Sequence, residues 1–180
     1  MKTATARFAD SRGPHEHQRC IERALRVAQE VCRERGLSLT PIRKQVLELV
    51  WRRHAPAGAY DILDQLGRQG KPTAPPTVYR ALTFLLDAGL IHRIDTLNAY
   101  LACETPRQAH AAQFLVCRSC QRVTEFGDPA IVKLLTQRVK SAGFKADVHD
   151  LEIKGLCSSC RNVPGSAARR LAGKKSRSPG

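Results

Sequence analysis

Pro75-Pro76-Thr77-Val78-Tyr79-Arg80-Ala81-Leu82-Thr83-Phe84-Leu85-Leu86-Asp87 is the stretch that decides the fold. Two prolines suit the first helical positions, where an N–H is dispensable. Val78, Ala81, Leu82, Leu85 and Leu86 then recur at helical spacing, with Thr77, Arg80, Thr83 and Asp87 on the opposite side. This helix is expected to run to Gly89. Strand-like runs follow at 90–94 and 99–103, and Thr96-Leu97-Asn98 turns between them, which gives a β-hairpin.

Upstream, Ile21, Ala24, Leu25, Ala28, Val31 and Cys32 form one helical stripe over 18–35, stopped by Gly36. A second helix opens at Leu39-Thr40-Pro41, with Thr40 as N-cap, and buries Ile42, Val46, Leu49 and Val50 before ending near His54. A third starts near Ala59, turns Ile62, Leu63 and Leu66 inward, and is broken by Gly67, Gly70 and Pro72. Short helices followed by a hairpin make a winged helix-turn-helix, whose last helix enters the major groove of DNA. Thr77 at the start of that helix and Arg43 on the second are candidate phosphate contacts.

Downstream the chain changes character. Two C-x-x-C pairs, Cys117-Arg118-Ser119-Cys120 and Cys157-Ser158-Ser159-Cys160, are separated by residues 121–156. Two such turns complete a tetrahedral shell of four thiolates, which suits structural Zn²⁺. A strand at 114–116 runs into the first pair; between the pairs lie a return strand at 123–126, a helix capped by Asp128-Pro129 that carries Ile131, Leu134, Leu135 and Val139, and a strand at 144–153 that delivers the second pair. A β-β-α-β unit results, its edges joined by metal. The fold class is therefore α/β (α+β), with a winged helix ahead of a small zinc-stabilised unit.

Composition narrows the function. The 180 residues carry 30 Lys+Arg against 16 Asp+Glu, a formal net charge of +14, which points to nucleic acid. Part of the excess lies in the Gly/Ser/Pro-rich end at 163–180, which is expected to be disordered, as is 1–16. No apolar run is long enough to span a membrane, and the N-terminus lacks the apolar core of a signal peptide. A cytoplasmic location is expected, where seven cysteines favour metal over disulfides. Cys20 and Cys32 read as core.

Leu39-Thr40-Pro41, the run from Pro75 to Leu82, the segment Gly89 to His92 and both cysteine pairs together resemble the ferric uptake regulator family over about residues 18–160. The resemblance implies a dimeric, metal-responsive transcriptional repressor. Its divisions are a winged-helix DNA-binding domain at 17–95, a wing strand and hinge at 96–103, and a dimerisation domain at 104–162. Iron-sensing members usually carry a His-rich stretch before the first cysteine pair; here Gln108-Ala109-His110-Ala111-Ala112-Gln113 keeps one histidine. Tyr60-Asp61-Ile62-Leu63-Asp64, Asn98-Ala99-Tyr100-Leu101-Ala102-Cys103 and Gly155-Leu156-Cys157 resemble the zinc uptake regulator branch instead.

In that branch the sensing positions match His92, Cys103, His110 and Glu125. Two nitrogens, one sulfur and one carboxylate oxygen suit a four-coordinate, reversible Zn²⁺. The expectation is two zinc ions per chain, one structural and one regulatory, with His149 at most an accessory. The resemblance also implies that Tyr79 and Arg80 read bases, and that Tyr60 contacts DNA. A homodimer on a palindromic double-stranded operator follows, with no membrane and no small organic substrate. The competing readings are an iron-, manganese- or peroxide-responsive member and a zinc-ribbon RNA-associated protein. Catalysis is not expected: a four-thiolate shell is closed, the mixed site is filled by protein, and the zinc-deaminase signature is absent.

Overall fold

The structure is a computed structural model that describes residues 17–52, 55–107, 112–145 and 150–162. The expected disordered ends at 1–16 and 163–180, and His54, His110 and His149, lie outside the described residues.

The first half holds helices α1 (His17–Glu34), α2 (Pro41–Arg52), α3 (Ala59–Arg68) and α4 (Pro75–Asp87). Their apolar faces meet in one core, where Val46, Ile62, Leu66, Val78 and Leu85 have no exposed surface. Each such side chain contributes about 1.5–3 kcal/mol relative to exposure. Lys44 N–H donates to Thr40 O at 3.0 Å, so Thr40 stands at the head of α2 as expected. Cys32 is buried in this core, whereas Cys20 is only half-buried.

The third helix departs from expectation. Gly67 does not break it; α3 continues to Arg68 and stops at Gly70, which adopts φ +71°. Gly70 N–H reaches Gly67 O and Lys71 N–H reaches Leu66 O, both at 3.0 Å. That paired closure needs a left-handed residue, so the stop falls where glycine supplies it. Gly67 sits at a helical φ that any residue can adopt.

The hairpin forms from β2 (Ile91–Ile94) and β3 (Ala99–Ala102), joined by a 3₁₀ turn at Asp95–Leu97 and Asn98 at φ +47°. A two-residue strand unforeseen in the sequence, β1 (Ala57–Gly58), adds to the far side of β3 and gives the order β1-β3-β2.

The second half is a three-stranded sheet in the order β5-β4-β6. Strand β4 (Gln113–Cys117) runs antiparallel to β5 (Val123–Phe126) and parallel to β6 (Leu151–Gly155). Helix α5 (Pro129–Ser141) supplies the crossover, and a single turn, α6 (Ser158–Arg161), follows. Asp128 caps α5 by accepting from Ala130 N–H at 2.8 Å. The expected strand at 144–153 is shorter: it is β6, at 151–155. Phe144 instead closes α5, its N–H on Val139 O at 3.1 Å beside Gly143 at φ +74°. A small second core joins the halves, with Ile94, Leu97 and Leu101 of the wing packed on Ala112, Phe114, Val116 and Val123.

Candidate metal centres and nucleic-acid interface

The four cysteines converge. Their sulfurs all lie within 4.8 Å of one another, and Cys120 and Cys157 Sγ are 3.7 Å apart. A disulfide needs about 2.05 Å, whereas four sulfurs at about 2.3 Å from a tetrahedral zinc sit about 3.8 Å apart. The strands cause the convergence: β4 and β6 run in register, with Cys117 opposite Gly155, so both C-x-x-C turns leave the sheet at the same end. The cluster thus ties the end of the central strand to one edge, rather than joining the two edges as expected. Burial alone would raise the Cys117 thiol, but N–H groups of Cys120, Cys157 and Ser119 aim at it and hold it low, at about 6. Burial and the neighbouring thiols push Cys120 up to about 12. Four crowded sulfurs cannot all ionise without a cation among them, which is what a divalent soft metal supplies.

Among the described residues only the four cysteines gather this closely, and a looser set of candidate ligands lies where the halves meet. His92 on β2 is largely buried, and its Nε2 stands 3.9 Å from Oε1 of Glu125 on β5. Cys103, just past β3, is fully buried, and its N–H donates to Leu90 O at 3.1 Å. Burial above all pushes the Cys103 thiol up to about 12, and the nearby Glu125 carboxylate adds to that. Three of the four expected ligands therefore share one neighbourhood. Phe114 packs its ring edge-on against His92, with centroids 5.3 Å apart, and fixes that imidazole from the sheet side.

On α4, Arg80 is exposed and Tyr79 is 42 % exposed, one residue beyond the fully buried Val78. Tyr60, in the first turn of α3, is 78 % exposed and so open to a partner. Thr77 presents less than the sequence suggests. Pro75 and Pro76 have no N–H, and Thr77 N–H is bonded to Ala74 O at 2.9 Å. Residues 75–77 thus offer no open amide to a phosphate, and a contact from them falls to the Thr77 hydroxyl. Arg43 is partly engaged: its guanidinium lies 3.6 Å from the Phe84 ring centre and donates to Ser38 O at 2.6 Å.

Contacts at the hinge escaped the sequence reading. Arg107 pairs with Glu30 and Glu34 of α1, and Arg35 donates to Ala88 O at 2.9 Å and Pro106 O at 3.3 Å. These clasp the segment leading toward His110 onto the first helix. A pattern of opposite charges, with no fixed spacing, could have hinted at the Arg107 pairs; the Arg35 bonds to backbone carbonyls leave no sequence signal.

Residues 34–154 match the family described as the ferric uptake regulator family. The chain belongs to that family. Among its relatives, the zinc uptake regulation protein of Escherichia coli (strain K12) is 36 % identical over 138 residues, which cover 76 % of this chain and 80 % of the relative. The zinc uptake regulation protein of Mycobacterium tuberculosis (strain H37Rv) is 33 % identical over 107 residues, covering 58 % and 79 %. The crystal structure of holo XcZur is similar at 40 % identity and TM-score 0.71, covering 77 % of this chain and 97 % of the other. A zinc uptake regulator complexed with zinc and DNA is similar at 31 % identity and TM-score 0.72, covering 82 % and 96 %. Among the described residues no helix is long and apolar enough to cross a membrane.

Proposed function

We propose that this protein is a zinc-responsive, DNA-binding transcriptional repressor and not an enzyme. It acts as a homodimer on double-stranded DNA. The observation that carries the reading is the meeting of His92 and Cys103, from the wing, with Glu125, from the second sheet. The kinship with zinc uptake regulators supports zinc as the signal. A thiol in the set favours zinc over manganese.

In this reading residues 17–95 form the DNA-binding domain, 96–103 the wing strand and hinge, and 104–162 the dimerisation domain. Two zinc ions bind per chain. Cys117, Cys120, Cys157 and Cys160 hold the permanent one. His92, Cys103, His110 and Glu125 hold the exchangeable one. When bound there, zinc links side chains from both halves and fixes the angle between them. Phe114 keeps the His92 ring facing the site, and burial excludes water from Cys103.

The dimer has a supporting surface. Helix α5 buries none of its residues, and Leu134, Phe144 and Ile153 are 53 %, 68 % and 44 % exposed. An apolar face of this kind is covered in the working assembly. Pairing sets the separation of the two α4 helices, which must meet major grooves about 34 Å apart. Arg80 and Tyr79 read base edges there, while Tyr60, Thr77 and Arg43 position the backbone.

The test is a zinc count paired with DNA binding. A duplex is first selected from a random pool by the zinc-loaded protein. Two zincs per chain should fall to one on mild chelation, with loss of duplex binding and recovery on zinc addition. Undiminished binding by the one-zinc protein would refute the reading.

A further inference from the structure

The strand register places three residues of the second sheet in one row. Phe114 on the central strand pairs with Glu125 on one edge and with Glu152 on the other. Residues paired across a sheet point to the same face, and this face meets the wing. Phe114 packs on His92, and Glu125 approaches the same ring.

Glu152 does something different. Its carboxylate accepts from Asp95 N–H at 2.6 Å and from Thr96 N–H at 3.0 Å, and the Thr96 hydroxyl also bonds to it. Three donors from the turn of the wing thus converge on one side chain of the other half. The charge is accommodated: Asp95 is neutralised by Arg93 at 2.8 Å, and Lys154 lies near Glu152. Burial would raise the Glu152 carboxyl, but the Thr96 and Asp95 donors and Lys154 hold it below its ordinary value. Ile94 and Leu97, on either side of the turn, sink into the second core.

We propose that Glu152 is a positioning residue for DNA binding: it pins the wing turn at 95–97 to β6 and serves as the metal-independent pivot of the interdomain joint. The wing is held at two points on one row of the sheet. The Glu125 end closes only when zinc joins it to His92 and Cys103. The Glu152 end is held without metal, by hydrogen bonds and the apolar packing of Ile94 and Leu97. With the pivot intact, one zinc determines the whole orientation; with it cut, zinc fastens one end and the winged helix still swings. The inference rests on the zinc-responsive reading above.

The test compares duplex affinity with and without zinc at the exchangeable site, in the dimeric full chain. Glu152→Gln removes the charge and places an amide where two N–H groups need acceptors. It should still take up a second zinc per chain, yet its zinc-dependent gain in duplex affinity should shrink at least about tenfold. Amides of Asp95 and Thr96 should exchange hydrogen faster while those of α2 and α4 stay protected. Thr96→Val, which removes one donor of three and leaves the fold unburdened, should show a smaller loss in the same direction. A gain in both variants equal to that of the unaltered chain would overturn the pivot. Absence of any zinc-dependent gain in the unaltered chain would instead overturn the reading it rests on.

Discussion

If zinc binds at the proposed interdomain site, it must strip a proton from Cys103, and the cost depends on pH. The thiol is fully buried and faces Glu125, which together push it up to about 12. Throughout the neutral range it is protonated in the zinc-free protein, and it binds zinc as thiolate. Apparent affinity should therefore rise about tenfold per pH unit from this residue alone, about 1.4 kcal/mol each. From about pH 6.5 to about pH 8.5 the gain is about a hundredfold, or about 2.7 kcal/mol. The measurement is competition against a chromophoric chelator of known pH dependence, on protein that keeps its four-cysteine zinc. Cys103→Ala should lower the slope of log affinity against pH by one. An equal slope in the two proteins would show that Cys103 donates no proton and is no ligand. The sign reverses for folding of the zinc-free protein. A thiol held above its ordinary 9.0 stabilises the fold below pH 9 and loses that contribution as pH climbs toward 12.

Cys157→Ser should abolish the tightly held zinc and, with it, the folded second half; metal analysis and circular dichroism check this, while the α2–α4 core keeps its helical signal. Arg80→Ala should cost about 1–3 kcal/mol on the selected duplex and almost nothing on random DNA, measured by anisotropy at fixed salt. Leu134→Glu should shift the dimer toward monomer by a large factor, read by light scattering, because it places a charge on the exposed face of α5. Leu82→Ala, at a core position 1 % exposed, should cost about 2–5 kcal/mol of stability in a melting experiment.

Much of this molecule is legible from residue spacing. The α4 helix, its inward Val78, Ala81, Leu82 and Leu85, and the hairpin behind it follow from period and prolines. The cysteine quartet follows from two short spacings, because a tight turn presents both sulfurs whatever surrounds it. What could not be read depends on pairing between distant strands. The row Glu125–Phe114–Glu152 exists only once β4 is known to be central and its register set. Two residues, Ala57 and Gly58, carry no periodic signal, so β1 was invisible. Helix α5 misleads in another way. Ile131, Leu134, Leu135 and Val139 have the spacing of a core face, but none is fully buried: Ile131, Leu135 and Val139 are half-buried and Leu134 is exposed. Of the expected breakers of α3, Gly70 makes the stop and Gly67 does not, because backbone closure, not glycine content, ends a helix.

The double proline at the head of α4 has a consequence for how the protein travels along DNA. With no amide at positions 75 and 76 to lend a passing phosphate, that helix meets the sugar-phosphate rail through the Thr77 hydroxyl rather than its first amides. Hold on arbitrary sequence then leans on long cationic side chains, whose pull is electrostatic and fades steeply as salt rises. If Tyr79 and Arg80 read bases as proposed, such a molecule slips readily over the wrong sequence and stops where base edges answer them.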